Sequence, residues 1–175
     1  MLIMAGCTTV ADESLLLDLL NSTPTTDGVR GDTLEDPGSA RSWLRDHGGR
    51  GNLRELERLR ATRDALQGVV RDRRSPNGLA PLVREIRYQP VATDDGLSWR
   101  LDVAADEELA VRALLAWDRL HQAAPGRLRP CSNDECTLFL LDRSKANTAR
   151  WCSMAVCGNR MKARRHYQRR RESQG

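Results

Sequence analysis

The chain has 175 residues, a formal net charge of +4, 39% hydrophobic residues and 30% charged residues. That length holds one domain of ordinary size plus a small one, and the composition allows a core only if it is economical. No apolar run approaches the length of a membrane span, which excludes a helical membrane protein.

The charge is unevenly placed. From Arg127 onward twelve Lys/Arg face four Asp/Glu, whereas the first 126 residues carry sixteen against twenty. An acidic body with a basic end points to a polyanion as partner. Met4-Ala5-Gly6-Cys7 has a faint likeness to a lipoprotein cleavage box. It lacks a basic leader and a long apolar stretch, so Cys7 reads as an incidental thiol and the chain as cytoplasmic, associated with the nucleoid.

In chain order, Glu13 to Asn21 reads as a short helix with Leu15, Leu16, Leu19 and Leu20 on one stripe. Asp18 and Asn21 are three residues apart and could reach a common partner, although Asn21 and Ser22 read more simply as the helix end. Ser22 to Asp36 reads as a loop. Asp36-Pro37 then resembles an N-cap followed by proline at the first helical position, opening a helix through Trp43 and Leu44 that stops at Gly48-Gly49. Trp43 is expected to anchor the core.

Asn52 to Arg74 is the longest helical pattern, with a solvated charged face carrying the pairs Glu55/Arg58 and Arg60/Asp64. Ser75-Pro76-Asn77-Gly78 breaks it, and a short helix follows over Leu79 to Arg84. Glu85–Gln89 and Leu97–Val103 alternate in polarity around Thr93-Asp94-Asp95-Gly96, which predicts a β-hairpin. Asp106 to Gln122 is another helix, and Ala123-Ala124-Pro125-Gly126 a linker and expected domain boundary. The division is residues 1–124, a regulatory or sensing domain, and 127–175, a binding module.

The C-terminal part carries the clearest chemistry. Cys131/Cys136 and Cys152/Cys157 form two pairs with four residues inside each pair and fifteen between pairs. Four thiolates are a standard tetrahedral ligand set for structural zinc, with no position left open for substrate. Two disulfides or an iron–sulfur cluster are the alternatives, and a reducing cytoplasm favours metal over disulfide. A module of some 45 residues has too little core to fold unaided, and one structural Zn²⁺ would contribute roughly 10–16 kcal/mol. Thr137–Leu141 reads as a strand, Asp142–Thr148 as a turn, and Ala149-Arg150-Trp151 as the return, with Cys136 and Cys152 at the open ends of that hairpin and Cys157 at the start of the last helix.

Met161 to Arg171 has no apolar stripe, is basic on both sides and lacks compensating acids, so it should project and bind phosphates. Asn159 and Arg160 could reach base edges. Arg150, Lys162, Arg164, Arg165, His166, Arg169 and Arg170 complete the expected DNA contacts.

These residues resemble the CGNR zinc-finger family of bacterial proteins. Cys157-Gly158-Asn159-Arg160 spells the name, and Trp151–Val156 and Lys162–His166 resemble the flanking pattern. The resemblance implies that Cys131, Cys136, Cys152 and Cys157 hold zinc and that the module binds double-stranded DNA. In that family the finger follows an ABATE domain, described as a stress-induced transcription regulator. Leu17–Ser22 is similar to its Leu-Asp-Phe-x-Asn-Thr segment, with Leu for Phe and Ser for Thr. Asp32-Thr33-Leu34, Pro37 and Trp43-Leu44 match a later segment in spacing.

The expected fold is mainly α with one β-hairpin in the N-terminal domain (α+β), followed by a small four-cysteine module of β-hairpin plus basic helix, treble-clef- or zinc-ribbon-like. The expected function is zinc-dependent DNA-binding transcription regulation without catalysis. Three rivals stand beside it: an RNA-binding protein, a protein-interaction adaptor, and an N-terminal small-molecule-binding or enzymatic domain with Asp18, Asn21 and Asp32 as its polar candidates. The effector is unidentified, and a homodimer is compatible with the chain.

Overall fold

The structure is a computed structural model that describes residues 10–26, 28–72 and 74–173. The cleavage-box reading at Met4–Cys7 lies outside them. About half the chain is helical, with small antiparallel hairpins.

Helix α1 (Val10–Leu20) carries Leu15, Leu16, Leu19 and Leu20 fully buried. Each buried leucine contributes about 1.5–3 kcal/mol by leaving water. The helix ends as its sequence suggests: Ser22 Oγ donates to the Leu19 carbonyl at 2.8 Å, supplying a partner to a terminal carbonyl. Helix α2 (Pro37–Asp46) starts on Asp36, whose carboxylate accepts from the Ser39 N–H at 2.8 Å. That bond holds the Asp36 pKa below the ordinary value. Trp43 lies half-buried at the core's edge, stacked on His47 with ring centroids 3.8 Å apart.

Helix α3 (Leu53–Asp72) buries Leu56, Leu59 and Leu66. It also buries Glu55 and Arg63, so its charged residues do not form the single solvated face expected of them. Glu55 does not pair with Arg58; its Oε2 accepts from the backbone N–H groups of Arg50 and Gly51 at 2.9 and 2.8 Å. Arg60 turns away from Asp64 and donates to the carbonyls of Leu34 and Glu35. Buried charge needs several fixed partners, and the loop preceding each site offers backbone groups that a neighbouring side chain on the same helix cannot.

A 3-10 turn (Pro76–Leu79) and the single turn α4 (Ala80–Val83) follow. The segment expected to be an unbroken loop between α1 and α2 contains a small hairpin, β1 (Thr25–Thr26) with β2 (Val29–Arg30). The expected long hairpin is β3 (Arg87–Thr93) with β4 (Gly96–Asp102), closed by Thr93 opposite Gly96, where Gly96 takes φ +126°. Helix α5 (Glu108–Ala123) packs on α1 and α3 and buries Leu109, Ala113, Leu114, Ala116, Trp117 and Leu120.

The last hairpin differs from expectation. Strand β6 (Phe139–Leu141) pairs with β5 (Leu128–Pro130), not with residues 149–151. Residues 142–149 are held instead by side chains. Asp142 accepts from the N–H groups of Ser144 and Ala149 at 2.8 and 2.7 Å, and from Arg129 at 2.6 Å. Arg129 also donates to the Ala149 carbonyl at 2.6 Å. The Ala149 N–H and carbonyl are taken by Asp142 and Arg129 and the Arg150 carbonyl by the Ser132 N–H, so this return is tied to groups other than β6. The chain ends in a π-helical turn (Met154–Gly158) and α6 (Asn159–Glu172). One hydrophobic cluster runs from α1 to Phe139, with Leu128 and Leu141 packed against it, so the last hairpin sits on the helical body.

Candidate metal centre and nucleic-acid interface

The Sγ atoms of Cys131, Cys136, Cys152 and Cys157 all lie within 4.8 Å of one another. Cys136–Cys152 and Cys152–Cys157 are each 3.7 Å apart. Four thiolates at the tetrahedral Zn–S bond length would be about 3.75 Å apart, so the cluster has the dimensions of a four-sulfur metal shell. Cys131 and Cys157 are buried and the other two half-buried.

Each ligand position has a local cause. Cys131 directly follows β5, its N–H bonded to the Leu138 carbonyl at 2.8 Å. Cys136 closes a tight turn through its N–H to the Asn133 carbonyl at 2.8 Å, and its sulfur accepts from the Leu138 N–H at 3.5 Å. The Ser132 N–H donates to the Arg150 carbonyl at 2.8 Å, which brings the second pair's segment alongside the first. Ser153 caps the π-helical turn through the Val156 N–H at 3.3 Å, and Cys157 lies within that turn.

Burial raises the thiols of Cys136 and Cys152, because desolvation penalises the thiolate. Burial also opposes ionisation of Cys157, but the Asn133 carboxamide, 3.5 Å from its sulfur, and hydrogen bonds from the neighbouring thiols outweigh it, and the group is lowered. Such a mixed set is what a bound cation resolves, since its charge compensates several crowded thiolates at once. Asn133, 1% exposed, is a sulfur partner that spacing alone does not pick out. An asparagine between paired cysteines was the available signal.

Helix α6 begins directly after the π-helical turn and buries none of its residues. Arg150, Asn159, Arg160, Lys162, Arg164, Arg165, His166, Arg169 and Arg170 are all exposed. The helix projects as expected, but it does have an acidic neighbour. Glu135 approaches Arg160 at 4.0 Å and Arg164 at 3.8 Å. These contacts are long and solvated, so they neutralise little. Asn159 spends its carboxamide on the Ala155 carbonyl at 3.2 Å, and Arg150 lies over the Trp151 ring at 5.3 Å.

The three polar candidates of the N-terminal part do not converge. Asp18 contacts His47 at 3.2 Å. Asp32 accepts from Arg63 at 2.6 Å and from the Leu34 N–H at 2.9 Å. Burial works against the Asp32 charge, but these hydrogen bonds more than offset it and lower its pKa. Asn21 reaches the hairpin beside the cysteine cluster: its Oδ1 accepts from the Phe139 N–H at 2.7 Å and its Nδ2 donates to the Phe139 carbonyl at 3.2 Å. Thr137 is gripped as well. Its hydroxyl donates to the Thr23 carbonyl at 2.9 Å, and its own carbonyl accepts from Arg71.

The fold and site together define a small, largely helical body with a four-cysteine cluster able to hold a metal ion at its C-terminal end. Residues 127–170 match the model of the CGNR zinc finger. Residues 13–134 match the ABATE model, whose description reads "Putative stress-induced transcription regulator". The chain belongs to the ABATE family and carries a CGNR zinc finger. A search of curated proteins returns no match. Among the described residues no helix is long and apolar enough to cross a membrane.

Proposed function

We propose that the chain is a non-enzymatic, DNA-binding transcription regulator whose Cys131, Cys136, Cys152 and Cys157 hold one structural Zn²⁺. Residues 127–175 bind double-stranded promoter DNA at the nucleoid, and residues 1–124 sense a signal or mediate assembly. One observation carries this reading: four sulfurs at tetrahedral spacing lie at the root of an exposed arginine helix. Bound zinc supplies a fixed joint there and no reactive position. Arg160 and Arg164 lie on one side of α6, Lys162, Arg165 and Arg169 on the other, so the helix can meet phosphates on both walls of a groove. In this reading the exposed Arg160, next to the joint, reads a guanine edge.

Binding of zinc-loaded protein to duplex DNA across a salt series tests this. Six phosphate contacts give a log–log slope of about −5. Arg160→Ala combined with Arg164→Ala should weaken binding while zinc content stays at one per chain. Unchanged affinity at physiological salt would reject the interface. Preference for structured RNA over duplex DNA in direct competition would transfer the same helix to RNA recognition.

A further inference from the structure

A cleft of about 850 Å³ lies between α3 and the segment joining α1 to α2. It is within the size range of small-molecule sites, but its lining is polar where such sites are mostly apolar. Arg30, Arg60, Arg63, Arg71 and Arg74 line it. On α3 the spacing 60, 63, 67, 71 keeps Gln67 and three of these arginines on one helical face, and Arg74, beyond the helix end, is tied back by its N–H to the Gly68 carbonyl at 3.3 Å. Gly68 adds floor space by having no side chain, and a Cβ there would come within 3.1 Å of Arg74.

The charges in the cleft do not cancel. Arg63 is held by Asp32 and Asp64 at 2.6 and 2.9 Å, and Arg74 is shared with Asp72 at 3.2 Å. The guanidinium of Arg60 donates only to the carbonyls of Leu34 and Glu35, and that of Arg71 to the carbonyl of Thr137 and the face of the Phe139 ring, 4.5 Å from its centroid. Carbonyls satisfy a guanidinium's hydrogens but leave its charge. Arg30 is exposed and has no partner among the described residues. Arg63 meets two carboxylates with one charge, so the five arginines of the lining exceed its four carboxylates by one, and Arg30, Arg60 and Arg71 are the three in no ion pair with a carboxylate among the described residues.

We propose that this cleft binds a small oxyanion, a phosphate-bearing or dicarboxylate molecule, through Arg30, Arg60, Arg71 and Arg74. Planar guanidinium forks match the oxygen pairs of either group. The wall opposite α3 includes Thr137, the residue after Cys136. Arg71 therefore joins the cleft to the strand leading away from the cysteine cluster, and an anion in the cleft competes with the Thr137 carbonyl for the same guanidinium. The cleft is where the signal sought in residues 1–124 would enter, but its anion binding is independent of any contact with DNA.

The test is calorimetric titration of the zinc-loaded full-length chain, without DNA, with inorganic phosphate and with malonate at constant ionic strength. Saturable one-to-one binding of at least one probe is expected. Arg30→Glu and Arg74→Glu, both at exposed positions, should each weaken it at least tenfold. Arg164→Glu with Arg169→Glu on α6 should leave it within twofold. No saturable binding of either probe overturns the proposal. So does binding lost in the α6 variant and kept in the cleft variants, which would put the anion on the helix.

Discussion

Asn21→Ala removes the two hydrogen bonds by which α1 holds the backbone of Phe139, at 2.7 and 3.2 Å. Phe139 stands opposite Pro130 in the two-stranded sheet. The flanking bonds, from the Cys131 N–H to the Leu138 carbonyl and from the Asp142 N–H to the Arg127 carbonyl, place Phe139 at a position whose N–H and C=O point away from β5. The Asn21 carboxamide therefore stands in for a missing third strand. Its loss leaves a donor and an acceptor beside a ring that is 1% exposed. At about 1–3 kcal/mol for each orphaned group, with partial rescue by water, the variant should lose about 2–4 kcal/mol. For a chain of this size that lowers Tm by about 4–16 °C. Calorimetry of zinc-loaded protein at neutral pH reads the shift, and a zinc-release assay should show faster loss, because Phe139 is three residues beyond Cys136. Asn21→Asp keeps the acceptor but sets a carboxylate against the Phe139 carbonyl, so it should be no better than alanine. A Tm within 1 °C of the parent for Asn21→Ala would refute the idea that this side chain closes the sheet edge.

Other outcomes follow from the same structure. Cys152→Ser should abolish stoichiometric zinc and expose residues 131–158 to amide exchange while α1 and α5 remain protected; a folded, metal-free finger would contradict the staple. Asp142 is held down at about 2, chiefly by hydrogen bonding from Ser144 and also by the Ala149 N–H and Arg129. Its stabilisation is complete above the unfolded carboxylate value of about 3.9 and is lost as pH falls through 2. Asp142→Asn should therefore lower Tm at pH 7 and flatten its decline between pH 4 and 2, and an unaltered acid limb would count against the assignment. A Cβ on Gly49 would meet Glu55 Oε1 and Leu109 Cδ1 at 2.6 Å and the Leu44 carbonyl at 2.9 Å. Gly49→Ala should cost about 1–3 kcal/mol in urea unfolding.

The helices and the long hairpin were legible because each depends on local information. A leucine stripe, an Asp-Pro start and an alternating run around Asp-Asp-Gly select one local conformation regardless of what lies beyond. The cysteine cluster was legible for a related reason: thiolate chemistry restricts what two equally spaced pairs can do. What α3 does with its charges was not legible. Glu55 and Arg63 have the spacing of surface residues, yet they are buried because the turn just before α3 supplies backbone donors to Glu55 and Asp32, 31 residues away, supplies a carboxylate to Arg63. The partner of β6 was misread for the same reason. Residues 149–151 look extended, but Arg129 and Asp142 had already satisfied the loop.

Sequence by itself determined the helical body, the four sulfurs and the arginine-rich end, since composition, periodicity and ligand type are properties of short stretches of chain. Only the tertiary structure decided that Asn21 closes the edge of the last hairpin, that Arg71 grips Thr137 next to Cys136, and that α3 presents a charged cleft rather than a solvated face. Those outcomes depend on which groups distant in sequence, 118 residues apart for Asn21 and Phe139 and 66 for Arg71 and Thr137, meet once the leucine core has closed, and buried polar groups accept whichever partners that closure brings within reach.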